Sequence, residues 1–497
     1  MDEVEAPEKR TDMRVLLINP PDEMESMFGV GKGLVQKYEP LGLLYVAAVA
    51  REAGHDVTVI DAYAEDLDLT SLEARIRAVA PDVVGFSTLT CNGAMVYELG
   101  RWIHEEIPGA YVVLGNIHAS VYARQYLENG AADAVVHGEG EYTFRSILEH
   151  LAAGRRDLVD VEAVSFLRDG AVLQTSPWSV VPDLATLPRP ARDLVNQQRY
   201  RLTELSNQNY IAEAGKQAKT VVTSRGCFYR CRFCVVHHGI RPRYDDTVRV
   251  VDELQMLEEE HNTDYVYIQD PLFMGDRRRV VDISSEIVRR GLTIKWGCDA
   301  NVRHITPEIV RVMDDANCYE LSLGIESGVQ RNLDAVGKKI SPEMVRRAVR
   351  AIRENSDILI EGLFILGIPG ETHAEALETI RFATSLDLDM AQFSIMTPYP
   401  GSPLFEELAA EGELDTGIRA DGTLDTSVWT RYSSYIMFTD NEPIWVTPTM
   451  DWRELKALQK KALRDFYLRP RQILRQLRRI RPSNLVQTAK IAIKGFF

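Results

Sequence analysis

The segment Thr223-Ser224-Arg225-Gly226-Cys227-Phe228-Tyr229-Arg230-Cys231-Arg232-Phe233-Cys234 places three thiols within eight residues, in the spacing C-x3-C-x2-C. Thiolates so spaced on one loop can each hold one iron of a [4Fe–4S] cube, leaving the fourth iron open to a substrate or cofactor. The same trio completed by His237 or His238 is the alternative, a zinc site. Structural zinc sites usually take paired C-x2-C knuckles, and the sequence has no second pair. Cys91, Cys298 and Cys318 are isolated and read as small buried hydrophobes. Six cysteines in 497 residues form no disulfide framework.

Such a loop needs an ordered scaffold. From Lys219 onward, Thr220–Thr223, Tyr265–Gln269, Thr293–Gly297, Glu320–Gly324, Leu359–Leu366 and Gln392–Met396 read as strands separated by helical stretches. This predicts a partial (βα)6 barrel over 216–410, with its chemistry at the strand carboxyl ends, where the cysteine loop falls. Before it, Val15–Ile18, Val57–Ile60, Val83–Ser87, Tyr111–Leu114 and Ala134–Val136 are near-continuous apolar strands between amphipathic helices. That pattern predicts a parallel sheet covered on both faces: a doubly wound, Rossmann-like α/β domain over 12–150, with its ligand at the strand ends. Residues 151–215 read as a connector containing a hairpin, Ala163–Leu167 with Ala171–Gln174. Residues 411–497 read as a mainly helical extension, with one clear helix at Trp452–Tyr467.

Hydrophobic residues at 45 % and charged residues at 26 % exclude a disordered or fibrous chain. A net charge of −16 argues against nucleic acid as a partner. The acidic N-terminus has no apolar signal core and no apolar run is long enough to span a bilayer, so the expected location is the cytoplasm. The charge is uneven, since Leu468 to Phe497 carries six Arg, two Lys and no acid. There Ile473, Leu474, Leu477 and Ile480 recur at helical spacing among arginines, followed by Leu485, Val486, Ile491, Ile493, Phe496 and Phe497. A basic amphipathic end either packs on the protein's own acidic body or lies at the periphery of an anionic membrane.

With an aromatic residue before the third cysteine, the cysteine motif resembles that of the radical S-adenosylmethionine (SAM) enzymes. The resemblance implies that Cys227, Cys231 and Cys234 hold a [4Fe–4S] cluster whose open iron binds SAM, with Phe233 near the adenine. It implies reductive cleavage of SAM to a radical that takes hydrogen from the substrate, with electrons from a flavodoxin or ferredoxin-type donor. It further places Asp270 of Tyr267-Ile268-Gln269-Asp270 at the SAM amino group, Glu326 and Ser327 of Gly324-Ile325-Glu326-Ser327-Gly328 at the ribose, and Gly367 and Pro369 beside the adenine. Gln269-Asp270 departs from the more usual acids or glycines. No catalytic side chain is assigned.

The N-terminal domain resembles the cobalamin-binding fold, in which a strand-end Ser-x-Leu and a later Gly-Gly make room for the nucleotide tail. Ser87-Thr88-Leu89 and Gly115-Asn116 stand at those positions, with His118 beyond. Asn116 replaces the second glycine, and Gly138, Glu139 and Gly140 form a further strand-end loop suited to the cofactor. The Asp-x-His-x-x-Gly motif that supplies cobalt's lower ligand is missing, which implies cobalamin bound base-off without a histidine. His118 and His137, taken singly, read as satisfied polar residues. Over nearly the whole length the chain is similar to cobalamin-dependent radical SAM enzymes, in the branch of the anaerobic magnesium-protoporphyrin ester cyclase and hopanoid methylases. The expected function is methyl transfer to an unactivated carbon of a small-molecule or lipid-like substrate. The competitors are oxidative cyclisation or rearrangement with the same cofactors, and a non-catalytic zinc-stapled or cobalamin-sensing protein.

Overall fold

The computed structural model describes residues 12–21, 37–200, 217–235 and 238–478. Two parallel sheets dominate it. In the first, β1 (Arg14–Asn19), β2 (Asp56–Asp61), β3 (Val83–Ser87), β4 (Tyr111–Gly115) and β5 (Ala134–Val136) run parallel, and β6 (Val164–Arg168) with β7 (Ala171–Gln174) is antiparallel. The spatial order is β2-β1-β3-β4-β5-β6-β7. The hairpin read within the connector is therefore hydrogen-bonded into the first sheet, which runs on past residue 150. Alternate strand residues enter different cores: Leu16, Ile18, Phe86 and Leu114 on one face, Val15, Leu17, Val83 and Val113 on the other. With both faces covered, ligands are left the strand ends near the switch between β1 and β3.

The second sheet follows a short antiparallel ribbon, β9 (Ser224–Arg225) with β10 (Arg243–Tyr244), inserted after β8 (Gln217–Val221). Its strands β8, β11 (Thr263–Ile268), β12 (Lys295–Ala300), β13 (Cys318–Glu326), β14 (Leu359–Leu366) and β15 (Met390–Ile395) are parallel and lie in chain order, as in a half-barrel. Two of these begin or end away from the apolar runs. β8 includes Gln217 and Ala218 ahead of the apolar run, and Lys219 lies inside the strand with its charge buried against Glu39. β12 continues to Ala300 because Gly297 and Asp299 are positions an apolar search stops at.

On the outer face, Val266, Ile268, Trp296, Cys298, Leu321, Leu323 and Ile360 pack against five helices: Thr247–Glu260, Arg277–Arg290, Pro307–Asp315, Pro342–Asn355 and His373–Ser385. Each begins on a residue whose side chain caps it: Asp246, Asp276, Thr306, Ser341 and Thr372. Such a cap contributes about 1 kcal/mol. Cys298 and Cys318 are buried as expected, and Cys91 is half-buried.

The C-terminal region ties the sheets together. Trp429, Tyr432, Ile444 and Trp445 share one core with Val96, Ile103, Tyr122 and Tyr126 of the first domain and with Val336, Ile368 and Met396 of the second. The helix Trp452–Tyr467 adds Leu455, Leu458, Ala462 and Phe466 to the barrel's outer core. The last described helix is Pro470–Leu477; Ile480, Leu485, Val486, Ile491, Ile493, Phe496 and Phe497 lie outside the described residues.

Candidate functional site

The cysteine loop leaves the carboxyl end of β8 through the β9–β10 ribbon. Gly226 sits there at φ +91° because a Cβ would meet the Arg241 carbonyl oxygen at 2.5 Å. The Cys227 N–H donates to the Gly239 carbonyl at 3.1 Å, the Arg232 N–H to that of Val336 at 2.9 Å, and the Cys234 N–H to that of Cys231 at 3.1 Å. Arg232 also bonds the Ala335 carbonyl at 2.7 Å and pairs with Glu407. Phe233 packs into the core that holds Val336 and Ile368.

All three cysteines are free. Burial pushes each thiol up, Cys234 to about 11, and neighbouring Cys231 and Cys227 raise it further, while the Lys338 ammonium opposes this. Cys227 raises the Cys231 thiol and both raise that of Cys234, so the trio fits a polycationic iron centre, which would take them as thiolates. Among the described residues no group of three His, Cys, Asp or Glu side chains is drawn together as a single-ion site. His238 turns its Nδ1 to the Glu139 carboxylate at 3.1 Å, and His237 lies outside the described residues.

Around this loop, Glu326 adopts φ +62°, rare for a residue with a side chain, and its carboxylate accepts from Lys338 Nζ at 2.7 Å. Burial alone would lower the Lys338 ammonium, but Glu326 and the thiols of Cys231 and Cys234 outweigh it and raise it. Lys338 was not singled out from the sequence; its signal is only a lysine twelve residues beyond the strand-end acid. Asp270 is engaged by the residues that lead into the cysteine loop. Its Oδ1 accepts the Thr223 and Ser224 N–H groups at 2.6 and 2.9 Å, and its Oδ2 their hydroxyls at 2.6 and 2.7 Å. With four donors on one buried carboxylate, Asp270 fixes the entry to the cysteine loop. Ser327 is likewise engaged, its Oγ lying 2.8 Å from Thr379 Oγ1 and accepting the Val329 N–H at 3.2 Å. Gly367, at φ +77°, and half-buried Pro369 form a turn in which the Gly367 N–H donates to Glu371 Oε2 at 2.5 Å.

The sequence reading missed the inner face of the half-barrel. Tyr267 donates to Asp299 Oδ1 at 2.8 Å, Ser322 to Glu361 Oε2 at 2.8 Å, Gln392 Nε2 to Glu361 Oε1 at 2.7 Å, and Tyr435 to Gln392 Oε1 at 2.7 Å. These side chains cross β11 to β15 and reach the C-terminal region. Asp299 is enclosed by protein yet exposed to solvent, as befits the wall of an open lumen. The available signal was period-two alternation, in which Tyr267, Asp299, Ser322, Glu361 and Gln392 interrupt apolar runs.

At the first sheet, Ser87 and Gly115 end adjacent strands, and Asn116, at φ +77°, donates from Nδ2 to Ser87 Oγ at 3.3 Å. A Cβ on Gly115 would find only the Phe86 carbonyl oxygen, at 3.9 Å. Leu89 is 41 % exposed, and the buried Thr88 hydroxyl between it and Ser87 has no protein partner. Open space, an exposed apolar side chain and an orphaned hydroxyl at one strand end fit a ligand tail there. His118 faces elsewhere: fully buried, it lies against Tyr122 and Trp429 at ring distances of 4.7 and 4.3 Å, its Nδ1 is 3.2 Å from Thr90 Oγ1, and burial lowers its pKa to about 3. His137, lowered by burial to about 4, is bonded to Ser165 Oγ at 2.8 Å.

Gly138 and Gly140 flank a carboxylate that is bonded within the protein. Gly138, at φ +89°, bridges to Ser179, and Gly140 precedes the helix Glu141–Ala152. Between them, the fully buried Glu139 carboxylate accepts from Arg243 at 2.6 and 2.8 Å, from the Val181 N–H at 2.6 Å and from His238. Burial pushes its carboxyl up, but Arg243, His238 and Arg225 outweigh it and hold it well below the usual range. Arg225, two residues before Cys227, donates to Glu141 at 2.6 Å and lies over the Tyr45 ring. The loop after β5 is thus a buried ionic latch onto the cysteine loop.

Residues 30–148 match the B12 binding domain, and residues 221–383 match the Radical SAM superfamily. An uncharacterized methyltransferase of Pyrococcus horikoshii is 31 % identical over 468 residues, 94 % of this chain and 95 % of that protein. The anaerobic magnesium-protoporphyrin IX monomethyl ester cyclase of Cereibacter sphaeroides is 28 % identical over 81 % of this chain and 64 % of its own length. The fold is shared with the radical SAM methyltransferase TsrM from Kitasatospora setae, at a TM-score of 0.67 and 20 % identity, over 89 % of this chain and 88 % of that one. The chain belongs to the radical SAM enzymes that carry a B12-binding domain. It is a cobalamin-dependent radical SAM enzyme, and its cofactors are a [4Fe–4S] cluster, SAM and cobalamin.

Proposed function

We propose that this enzyme transfers a methyl group to an unactivated carbon of a small-molecule substrate. The observation that carries the reading is the end-to-end likeness to a methyltransferase, which spans both domains and the C-terminal region. When bound, the cofactors supply hydrogen abstraction from an unactivated carbon and a transferable methyl group. Cys227, Cys231 and Cys234 would hold the cluster, while Lys338 and Glu326 set the charge beside it. The latch of Arg225 and Arg243 onto Glu141 and Glu139 keeps the two cofactor loops in one register, which a single substrate carbon served by both requires. Tyr267, Asp299, Ser322, Glu361 and Gln392 give the lumen hydrogen-bonding groups to orient that substrate. The exposure of Phe228, beside Cys227, supports electron delivery by a flavodoxin or ferredoxin-type protein.

The base-off cobalamin belongs to the same proposal. The sequence from Asn19 to Pro40, which follows β1, contains no histidine, and His118 and His137 are engaged within the protein. Anaerobic reconstitution with iron, sulfide and cobalamin, followed by reduction, would give a cob(II)alamin electron paramagnetic resonance spectrum without histidine nitrogen splitting. The likeness to the ester cyclase favours a second reading, ring closure without methyl transfer. Reconstituted enzyme supplied with SAM labelled in its methyl carbon and a small-molecule extract separates the two. Label in a new metabolite supports methyl transfer; a product lighter by hydrogen with no added carbon supports ring closure.

A further inference from the structure

We propose that the C-terminal helix Pro470–Leu477, with the chain that follows it, docks the enzyme on an anionic lipid bilayer. The helix meets the protein with its polar side. Gln472 is buried and donates to the Asp389 carbonyl, Gln476 donates to the same oxygen at 3.0 Å, and Arg475 bonds Asp387 at 2.6 Å. Arg471 reaches Asp387 at 3.0 Å from a position open to solvent. The apolar side consequently points away from the protein, leaving Ile473, Leu474 and Leu477 at 40, 51 and 55 % exposure, with Leu468 at 45 % beside them. A helix held by its polar side with its leucines in solvent is the reverse of a surface helix packed on its own core.

Charge selects the occupant. From Leu468 to Phe497 the chain has eight cationic side chains and no acid, while the whole protein is at −16. Nineteen residues lie beyond Arg478, among them Ile480, Leu485, Val486, Ile491, Ile493, Phe496 and Phe497 interspersed with Arg479, Arg481, Lys490 and Lys494. Apolar side chains framed by cations without an acid suit an interface of anionic headgroups above acyl chains, where both contributions act together. No helix among the described residues is long and apolar enough to cross a membrane, so the contact proposed is peripheral.

The test is co-sedimentation of the full-length holoenzyme with vesicles of phosphatidylcholine alone or enriched in phosphatidylglycerol. The expected result is binding at least roughly tenfold stronger to the anionic vesicles, weakened by high salt. The double substitution Leu474→Glu with Leu477→Glu, both at solvent-exposed positions, should lower it at least roughly tenfold again with unchanged circular dichroism and cofactor content. Equal sedimentation of wild type and double variant overturns the proposal, as does failure of the wild type to bind anionic vesicles. In that second case, concentration-dependent dimerisation lost in the double variant would assign the patch to a second copy. Hydrogen-exchange protection of 470–478 without lipid, lost on removing residues 479–497, would assign it to the chain's own end.

Discussion

The two parallel sheets are built from the same βα unit but place their polar side chains in opposite ways. In the five parallel strands of the first sheet, residues on both faces enter apolar cores, and polar groups such as Ser87, Thr88 and Asn116 gather at the rim. In the second, one face is apolar and covered by five capped helices, while the other carries Tyr267, Asp299, Ser322, Glu361 and Gln392. A large ligand laid across strand ends needs a rim and a solid support. A reaction that must be shielded from water needs a lumen. The contrast teaches that the strand pattern, continuous or alternating, decides where a βα sheet can do chemistry.

The contrast breaks at once if the two sheets do not hold separate cofactors. Replacing Cys227, Cys231 and Cys234 together by Ala should abolish iron incorporation and SAM cleavage, both falling to background under anoxia, while cobalamin binding persists. Iron analysis and bound cobalamin measured on one sample decide the matter. Loss of both cofactors would mean that the rim site depends on an assembled cluster. The converse substitution is Gly115→Leu. Only a carbonyl oxygen 3.9 Å away bounds the space its Cβ would enter, so the fold should survive and the leucine should occupy the ligand's room. Cobalamin binding is expected to weaken by roughly a hundredfold or more, in line with the few kcal/mol at stake when a well-packed contact is overfilled, with iron content unchanged.

A third substitution asks whether the sheets act as one body. Glu139→Gln leaves Arg243 and Arg225 facing a neutral amide in a buried seam. Breaking a buried pair by removing one partner costs about 3–5 kcal/mol. Urea denaturation followed by tryptophan fluorescence should show a correspondingly lower midpoint. An unchanged midpoint would show that the latch is not part of the cooperative unit.

Much of this division was legible in the sequence. Six apolar runs after Lys219 and five before residue 137 stated the sheet grammar, and C-x3-C-x2-C marked the loop. What was not legible has one physical cause: a motif fixes where a residue sits along the chain but not which way its side chain is spent. Asp270 and Glu139 stand at strand ends where ligands bind, yet Thr223 with Ser224 takes the first and Arg243 with Arg225 the second. These partners lie 46 to 104 residues away in sequence. The lumen acids were hidden for a related reason, because Asp299 and Glu361 read as interruptions of strands until the sheet curves and gathers them on one side. Lys338 stood outside every motif, and only folding brings it to Glu326.

Two buried glutamates extend the comparison to pH, with opposite signs. Glu139 is held below the ordinary carboxyl range by its cations, so its contribution is full above that range and is lost as pH falls from that range toward the lowered folded value. Glu371 closes the Gly367 turn with no cation among the described residues bonded to it, and burial raises its carboxyl from 4.5 to about 7. The folded state then binds the proton more tightly than the unfolded chain, so stability falls as pH rises from about 4.5 toward 7 and levels off above. The shift corresponds to about 3 kcal/mol at most. Unfolding free energies measured between these limits should therefore decline for the wild type. In Glu371→Gln the slope should flatten, even though absolute stability drops, because both carboxylate oxygens accept hydrogen bonds, from Gly367 and Asn332, and an amide can accept only one of them. A variant that keeps the wild-type slope would move the titration to another group and leave the turn beside the cysteine loop insensitive to pH.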